Sequence, residues 1–379
     1  LVVLNPKRFF IESFYFLKTV TKFDLKQLHF GIGIFLGASS LFSFTGISFH
    51  LSRKVLSFIN KRMYQDNKRL LILFDWIETI HKYLLGEWNS ISEYDTDLID
   101  HNLSIGKIYD VSQHLYWHGF VCIYQGSFQK AESIIGILNE IFDAYQNDIT
   151  NSLKYELQAN LLIERRNLLE ALREVEEGIG FMERGGLDHF LIEMFSCQAW
   201  IHILMRDMEK ANDSLENAKK IWYKIDTVPS QLSNYYRAAA EYDLFYLTQV
   251  SPTDKPSDLK PHLKKAAESI QQFLRISRKA AQHRTDAYRV AGTYHWCINQ
   301  QRRAIRNWQK SIQVGQSLGA GLELSRTYFE IGKRLNEGKS RYKTLGGLEA
   351  EAYLQEAKRM FSEMGLGWDL DELARIGLG

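Results

Sequence analysis

Three alanines, Ala131, Ala171 and Ala211, stand forty residues apart, and each is preceded at twelve residues by another small residue: Gly119, Ala159 and Ala199. A fourth copy, "AYRVAGTYHWCINQQRRAIRNWQKSI", repeats the interval at Gly292 and Ala304, with Trp308 standing where Ile135, Val175 and Leu215 stand in the others. Apolar residues around these positions recur at helical spacing in blocks separated by short breaks such as "YQGSFQ", "ERGGLD" and "RDMEK". Two helices that cross closely need small side chains at the contact and a bulky one a turn later to fill the gap to the next pair. A single pair leaves an apolar face exposed, and stacking several pairs buries those faces in a continuous core. The repeat therefore predicts an all-α array of antiparallel helix pairs.

Weaker copies extend the series. "LFDWIETIHKYLLGEW" carries Gly86 and Trp88 at its turn; "SNYYRAAAEYDLFYL" pairs across a proline linker near 250–261 with "HLKKAAESIQQFL"; and "LSRTYFEIGKRL" pairs with "EAEAYLQEAKRMF". Of the five prolines, Pro252, Pro256 and Pro261 cluster in that linker, leaving long tracts free to run as helices. Residues 30–49, "FGIGIFLGASSLFSFTGISF", contain no charge and match the length of a bilayer crossing. Placing Gly46 at a turn puts Ser39 at the small first-helix position with Phe35 and Phe42 around it, and Val55 and Phe58 supply the bulky contacts. Glycine, serine and threonine also dilute the apolar content, so the segment reads as a repeat, with a membrane-anchored sensor as the lesser alternative.

The 379 residues include 45% hydrophobic and 24% charged residues, the balance of a folded globular chain. A formal charge of +2 gives no global field for nucleic acid or an anionic membrane. Cys122, Cys197 and Cys297 are far apart, without a CxxC pair, and fit a reducing cytoplasm better than a disulfide framework. The opening "LVVLNPKRFF" has neither an initiator Met nor a signal-peptide pattern and reads as a segment of something longer. The expected organisation is an N-terminal helix over 1–28 continuing an upstream region, a repeat array over 29–365, and a capping segment over 366–379.

The intervals are those of tetratricopeptide repeats, and the chain resembles a tetratricopeptide solenoid, which implies a right-handed superhelix. The closing "EAEAYLQEAKRMFSEMGLGWDLDELARI", through Ala350, Leu354, Ala357, Phe361, Met364, Gly365 and Trp368, resembles the last repeat of large bacterial signalling proteins. In those, a STAND-type ATPase precedes a tetratricopeptide arm, often joined to a nucleotide cyclase or kinase. The resemblance implies a protein-interaction and regulatory arm whose partner is a peptide or protein, an adjoining ATPase, cyclase or kinase domain included. A free-standing scaffold or co-chaperone is the alternative.

No catalytic chemistry can be nominated. "KRLNEGKSRYK" offers Gly338, Lys339 and Ser340 to a phosphate loop, but Lys333 stands where the motif needs its first glycine and no strand leads in. His114 and His118 lack the glutamate of a metalloprotease helix. His202 falls at a packing position, Glu176 and Glu177 on a solvated face. Arg302, Arg303, Arg306 and Lys310 flank Trp308, which the repeat contact claims. No cofactor, metal or nucleic acid is expected. In the tetratricopeptide register the first helices line the concave face, so Tyr116, Phe120, Tyr124, Trp200, Tyr236 and Trp296 are the candidate partner-binding residues, with packing between pairs as the competing role for each ring.

Overall fold

A computed structural model of the chain describes residues 8, 11, 12, 15, 31–61, 67–249 and 256–376. The N-terminal helix expected over 1–28 thus falls largely outside the described residues, as does the core of the proline linker. The described residues form seventeen α-helices: α1 Gly31–Thr45, α2 Phe49–Asn60, α3 Lys68–Leu85, α4 Thr96–Ser104, α5 Ile108–Gln125, α6 Phe128–Tyr145, α7 Asp148–Glu164, α8 Leu168–Gly185, α9 Asp188–Leu204, α10 Met208–Trp222, α11 Ser233–Gln249, α12 Pro256–Ser277, α13 Arg284–Cys297, α14 Gln301–Leu318, α15 Gly321–Leu335, α16 Ala350–Met364 and α17 Gly367–Arg375. One small antiparallel hairpin, Thr344–Leu345 with Leu348–Glu349, interrupts the last pair.

Each odd-numbered helix packs against the even-numbered helix that follows it, giving eight pairs closed by α17. Local chemistry sets the boundaries. Asn147 accepts a hydrogen bond from the Thr150 N–H at 3.0 Å to start α7, and Asp207 does the same for Lys210 at the head of α10. First helices end in the left-handed region at a forty-residue interval: Gly46, Gly86, Gly126, Arg166 and Arg206 all have positive φ. Three of the five are glycine, which takes this conformation without a steric penalty.

The small-residue contacts are as tight as the spacing demands. Ala131, Ala159, Ala171, Ala199, Ala211 and Ala304 are fully buried. A Cβ on Gly119 would overlap the Leu157 side chain, and one on Gly292 would overlap the Trp308 ring. Within the stretch 30–49, the described residues 31–49 enter a helix pair of the same kind. The Ser39 hydroxyl hydrogen-bonds that of Ser52 at 2.8 Å across α1 and α2, Ser43 reaches Ser52 and His81, and Phe35 packs on Phe58 at 5.3 Å. Among the described residues no helix is long and apolar enough to cross a membrane.

Successive odd-numbered helices also touch one another, so they form the inner side of the curve. The curve closes on itself. α5 meets α15, and a Cβ on Gly321 would stand 2.7 Å from the Gln125 carbonyl oxygen. Gly46 abuts Lys279, Gly86 abuts Leu318 and Ala281, and Gly126 abuts Met364. Arg284 donates from Nη1 to the Leu85 carbonyl at 3.1 Å. Turns of the first three pairs thus seat against turns of the C-terminal half along one seam.

Candidate functional site

Two features occupy the interior of the closed superhelix: a buried ionic network and an aromatic cavity.

The network gathers one charged residue or more from five inner helices. Arg237 of α11 donates to Glu164 of α7 at 2.6 Å, to Asp286 of α13 at 2.8 Å and to Glu323 of α15 at 3.0 Å. Arg326 of α15 binds the Glu164 carboxylate, donates to the Glu164 carbonyl at 2.8 Å and to Asp369 of α17 at 3.1 Å. Arg289 joins Asp286 to Glu241. Arg237 lies over the Trp200 ring at 4.8 Å, while Arg166 lies between the rings of Trp200 and Trp368. Burial alone would raise the Glu164 carboxyl, but Arg237, Arg326 and Arg166 outweigh it and hold it well below the ordinary carboxylate range. Burial, reinforced by Arg326, lowers Arg166 to about 10. The charges pair with one another across the inner helices, leaving Arg166 Nε, Arg289 Nε and Glu323 Oε2 without a hydrogen bond, and the cluster acts as a clasp across the ring.

The cavity, about 390 Å³, lies among α1, α3, α5, α7, α9 and the segment preceding α11. Phe44, Trp76, Tyr116, Trp117 and Phe190 supply its aromatic lining, and Gln113, Glu156, Glu193 and Gln231 its polar groups. The volume is in the range of ligand sites, which are typically apolar with a few placed polar groups. Glu156 is 1% exposed, and its Oε1 has no hydrogen-bond partner. Burial pushes its carboxyl up to about 8, against the pull of the Tyr116 hydroxyl.

Of the six aromatic residues singled out by register, Tyr116 borders the cavity. Phe120 meets Tyr116 edge-on at 4.9 Å and stacks on Tyr124 at 6.0 Å, and Tyr124 ends against His283 at 5.4 Å. These three rings run inward from the cavity, and Trp200 lies beneath the arginines of the clasp. Tyr236 is half-buried against Trp222 at 5.9 Å. Trp296 is apart from the others, 1% exposed, packed on Trp308 at 5.4 Å with its indole N–H donating to Glu337. Phe44, Trp76, Trp117, Phe190 and Glu156 were not singled out in the sequence. The four rings carried a partial signal, as aromatic residues on the inner helices, whereas Glu156 in "KYELQAN" reads as an ordinary helix charge.

The remaining sequence candidates fall as follows. His114 and His118 form a buried edge-to-face pair at 4.5 Å, and among the described residues no three metal-ligating side chains converge. Gly338, Lys339 and Ser340 lie in the connection from α15 to α16, where Lys339 pairs with Glu337 at 3.2 Å. Arg302, Arg303, Arg306 and Lys310 are exposed on α14 with Trp308 buried beneath.

No family model and no curated protein matches this chain. Among solved structures it is similar to a Rap protein complexed with competence and sporulation factor, at 12% identity and TM-score 0.54, covering 91% of this chain and 95% of that one. The apo form of RapI aligns at 11% identity and TM-score 0.40 over 92% of this chain and 96% of its own. A STAND protein with a tetratricopeptide repeat sensor from Pyrococcus horikoshii aligns at 13% identity and TM-score 0.41 over 92% of this chain and 50% of its own. The chain has the all-α, tetratricopeptide-like superhelical fold.

Proposed function

We propose that the chain is an interaction and regulatory module that holds a peptide or protein segment inside its superhelix. The observation that carries this reading is the aromatic cavity on the inner helices. Aromatic walls give large contact area at low entropic cost and are enriched at binding hot spots. That a Rap protein of the same fold is complexed with competence and sporulation factor supports the reading. The similarity of the closing repeat to tetratricopeptide arms of STAND signalling proteins supports a role within a larger ATPase, cyclase or kinase rather than a free-standing scaffold. In this reading Tyr116, which borders the cavity, is the register-derived residue that touches the bound segment. Phe120, Tyr124 and Trp200 act behind it, and we assign no catalytic step to the chain.

The test is selection of random peptides on the purified chain, with each enriched peptide remeasured against Glu193→Trp, which fills the cavity from a half-buried position. Micromolar binders that lose at least tenfold affinity on this variant are expected. A library that yields no binder, or binders indifferent to the filled cavity, overturns the proposal.

A further inference from the structure

Glu156 and Glu164 lie two turns apart on α7 and are equally buried, yet the protein treats them differently. Glu164 is gripped by Arg237 and Arg326. Glu156 opens into the cavity, among the described residues no lysine or arginine lines that cavity, and its Oε1 is left without a partner. A buried carboxyl met on one side only, by the Tyr116 hydroxyl, is costly and calls for a partner at its free oxygen. Among the described lining residues His189 is the one able to carry positive charge, and burial holds it below its ordinary value, while the second acid is Glu193. Trp76, Tyr116, Trp117 and Phe190 line the same cavity as Glu156, and aromatic ring faces attract cations.

Building on the reading of this cavity as a binding site, we propose that it recognises an organic cation, an ammonium or guanidinium on an aliphatic stem, with Glu156, which gives its proton to solvent as the cation seats, as its counter-ion and the aromatic rings as its walls. The stem fits the apolar lining supplied by Ile149, Leu153 and Val228. Such a head can come from a lysine, arginine or N-terminus of a peptide, or from a free alkyl amine or guanidine.

The experiment uses the full chain and pentapeptides built on a binder from the selection above, or on an alanine frame if none emerges, with one position scanned through arginine, lysine, citrulline and norleucine. Butylguanidine and butylamine are measured alongside, with butanol as the neutral counterpart. Indole fluorescence from Trp76 and Trp117 reports occupancy. The expected result is at least tenfold tighter binding of a cationic probe than of its neutral counterpart, the preference collapsing to below threefold in Glu156→Gln. The wild-type comparison stands by itself if that variant misfolds. Equal binding of neutral and cationic probes, a preference that survives Glu156→Gln, or no cationic probe binding at millimolar concentration overturns the inference. Peptides that bind without cation preference sink this inference and leave the interaction module standing. Butylguanidine or butylamine binding with no peptide binding does the reverse.

Discussion

Replacing Arg237 by Met removes the one side chain that bonds Glu164, Asp286 and Glu323 at once, while nearly conserving length and apolar volume. Breaking a buried ion pair by removing one partner costs about 3–5 kcal/mol, because the remaining charge is left desolvated. Arg289 and Arg326 still serve the three carboxylates in part, so we take ~4 kcal/mol. For 379 residues unfolding as one unit, with about 2 cal/mol/K of unfolding entropy per residue, that loss lowers Tm by about 5 °C. Calorimetry measures the shift, with the exposed Arg303→Met as a control expected within about 0.5 kcal/mol of wild type. Hydrogen exchange localises it: α11, α13, α15 and the end of α7 should lose protection together. The deficit should also depend on pH. Glu164 is held below its ordinary value, so it contributes stability above the unfolded carboxyl pKa that disappears as pH falls through its folded value. The gap between wild type and variant should therefore be widest near neutrality and shrink in acid. A loss under about 1 kcal/mol, or exchange changes confined to α11, would refute the clasp.

Two further outcomes follow from packing and burial. Gly321→Ala drives a methyl into the Gln125 carbonyl at the seam and should cost about 1–3 kcal/mol by urea titration, whereas Gly136→Ala, in open space on α6, should gain about 0.5–1 kcal/mol; equal effects would mean the seam is not formed in solution. Burial lowers His118 to about 4, so its neutral form contributes stability that is lost as pH falls below the unfolded value near 6.5. His118→Gln should therefore be less stable than wild type at pH 7, with the gap narrowing by about 2 kcal/mol at pH 5, and a gap that does not narrow would contradict the buried neutral imidazole.

The fold was legible because its constraint is local. Gly119 against Leu157 and Gly292 against Trp308 are contacts between neighbouring helices, and a twelve-residue interval between small residues records them in one dimension. Seam closure was not legible, since it depends on small rotations accumulated over eight pairs that no single interval encodes. The clasp escaped for a different reason. Arg237 in "SNYYRAAAEY" and Arg326 in "LSRTYFEIG" are charges on helices, which in a lone sequence read as solvated, and their partners on other helices lie 43 to 162 residues away. Register also could not separate Tyr116, which borders the cavity, from Trp296, which is packed on Trp308, because both occupy inner helices.

The seam changes what kind of object the repeat array is. In an open stack each pair answers only to its neighbours, and folding can start anywhere and spread. Here the bond from Arg284 to Leu85 joins residues 199 apart. Closing a loop of that length costs about 5 kcal/mol in chain entropy on the logarithmic law. Local contacts favour helices and pairs forming early, and the meeting of the two arms of the arc is then expected to come late in folding. Before that step the aromatic interior faces solvent across the whole width of the arc. After it, entry is limited to what passes the ring's openings, so a bulky folded partner has to be embraced while the ring is open, and a short extended segment can come and go once it has shut.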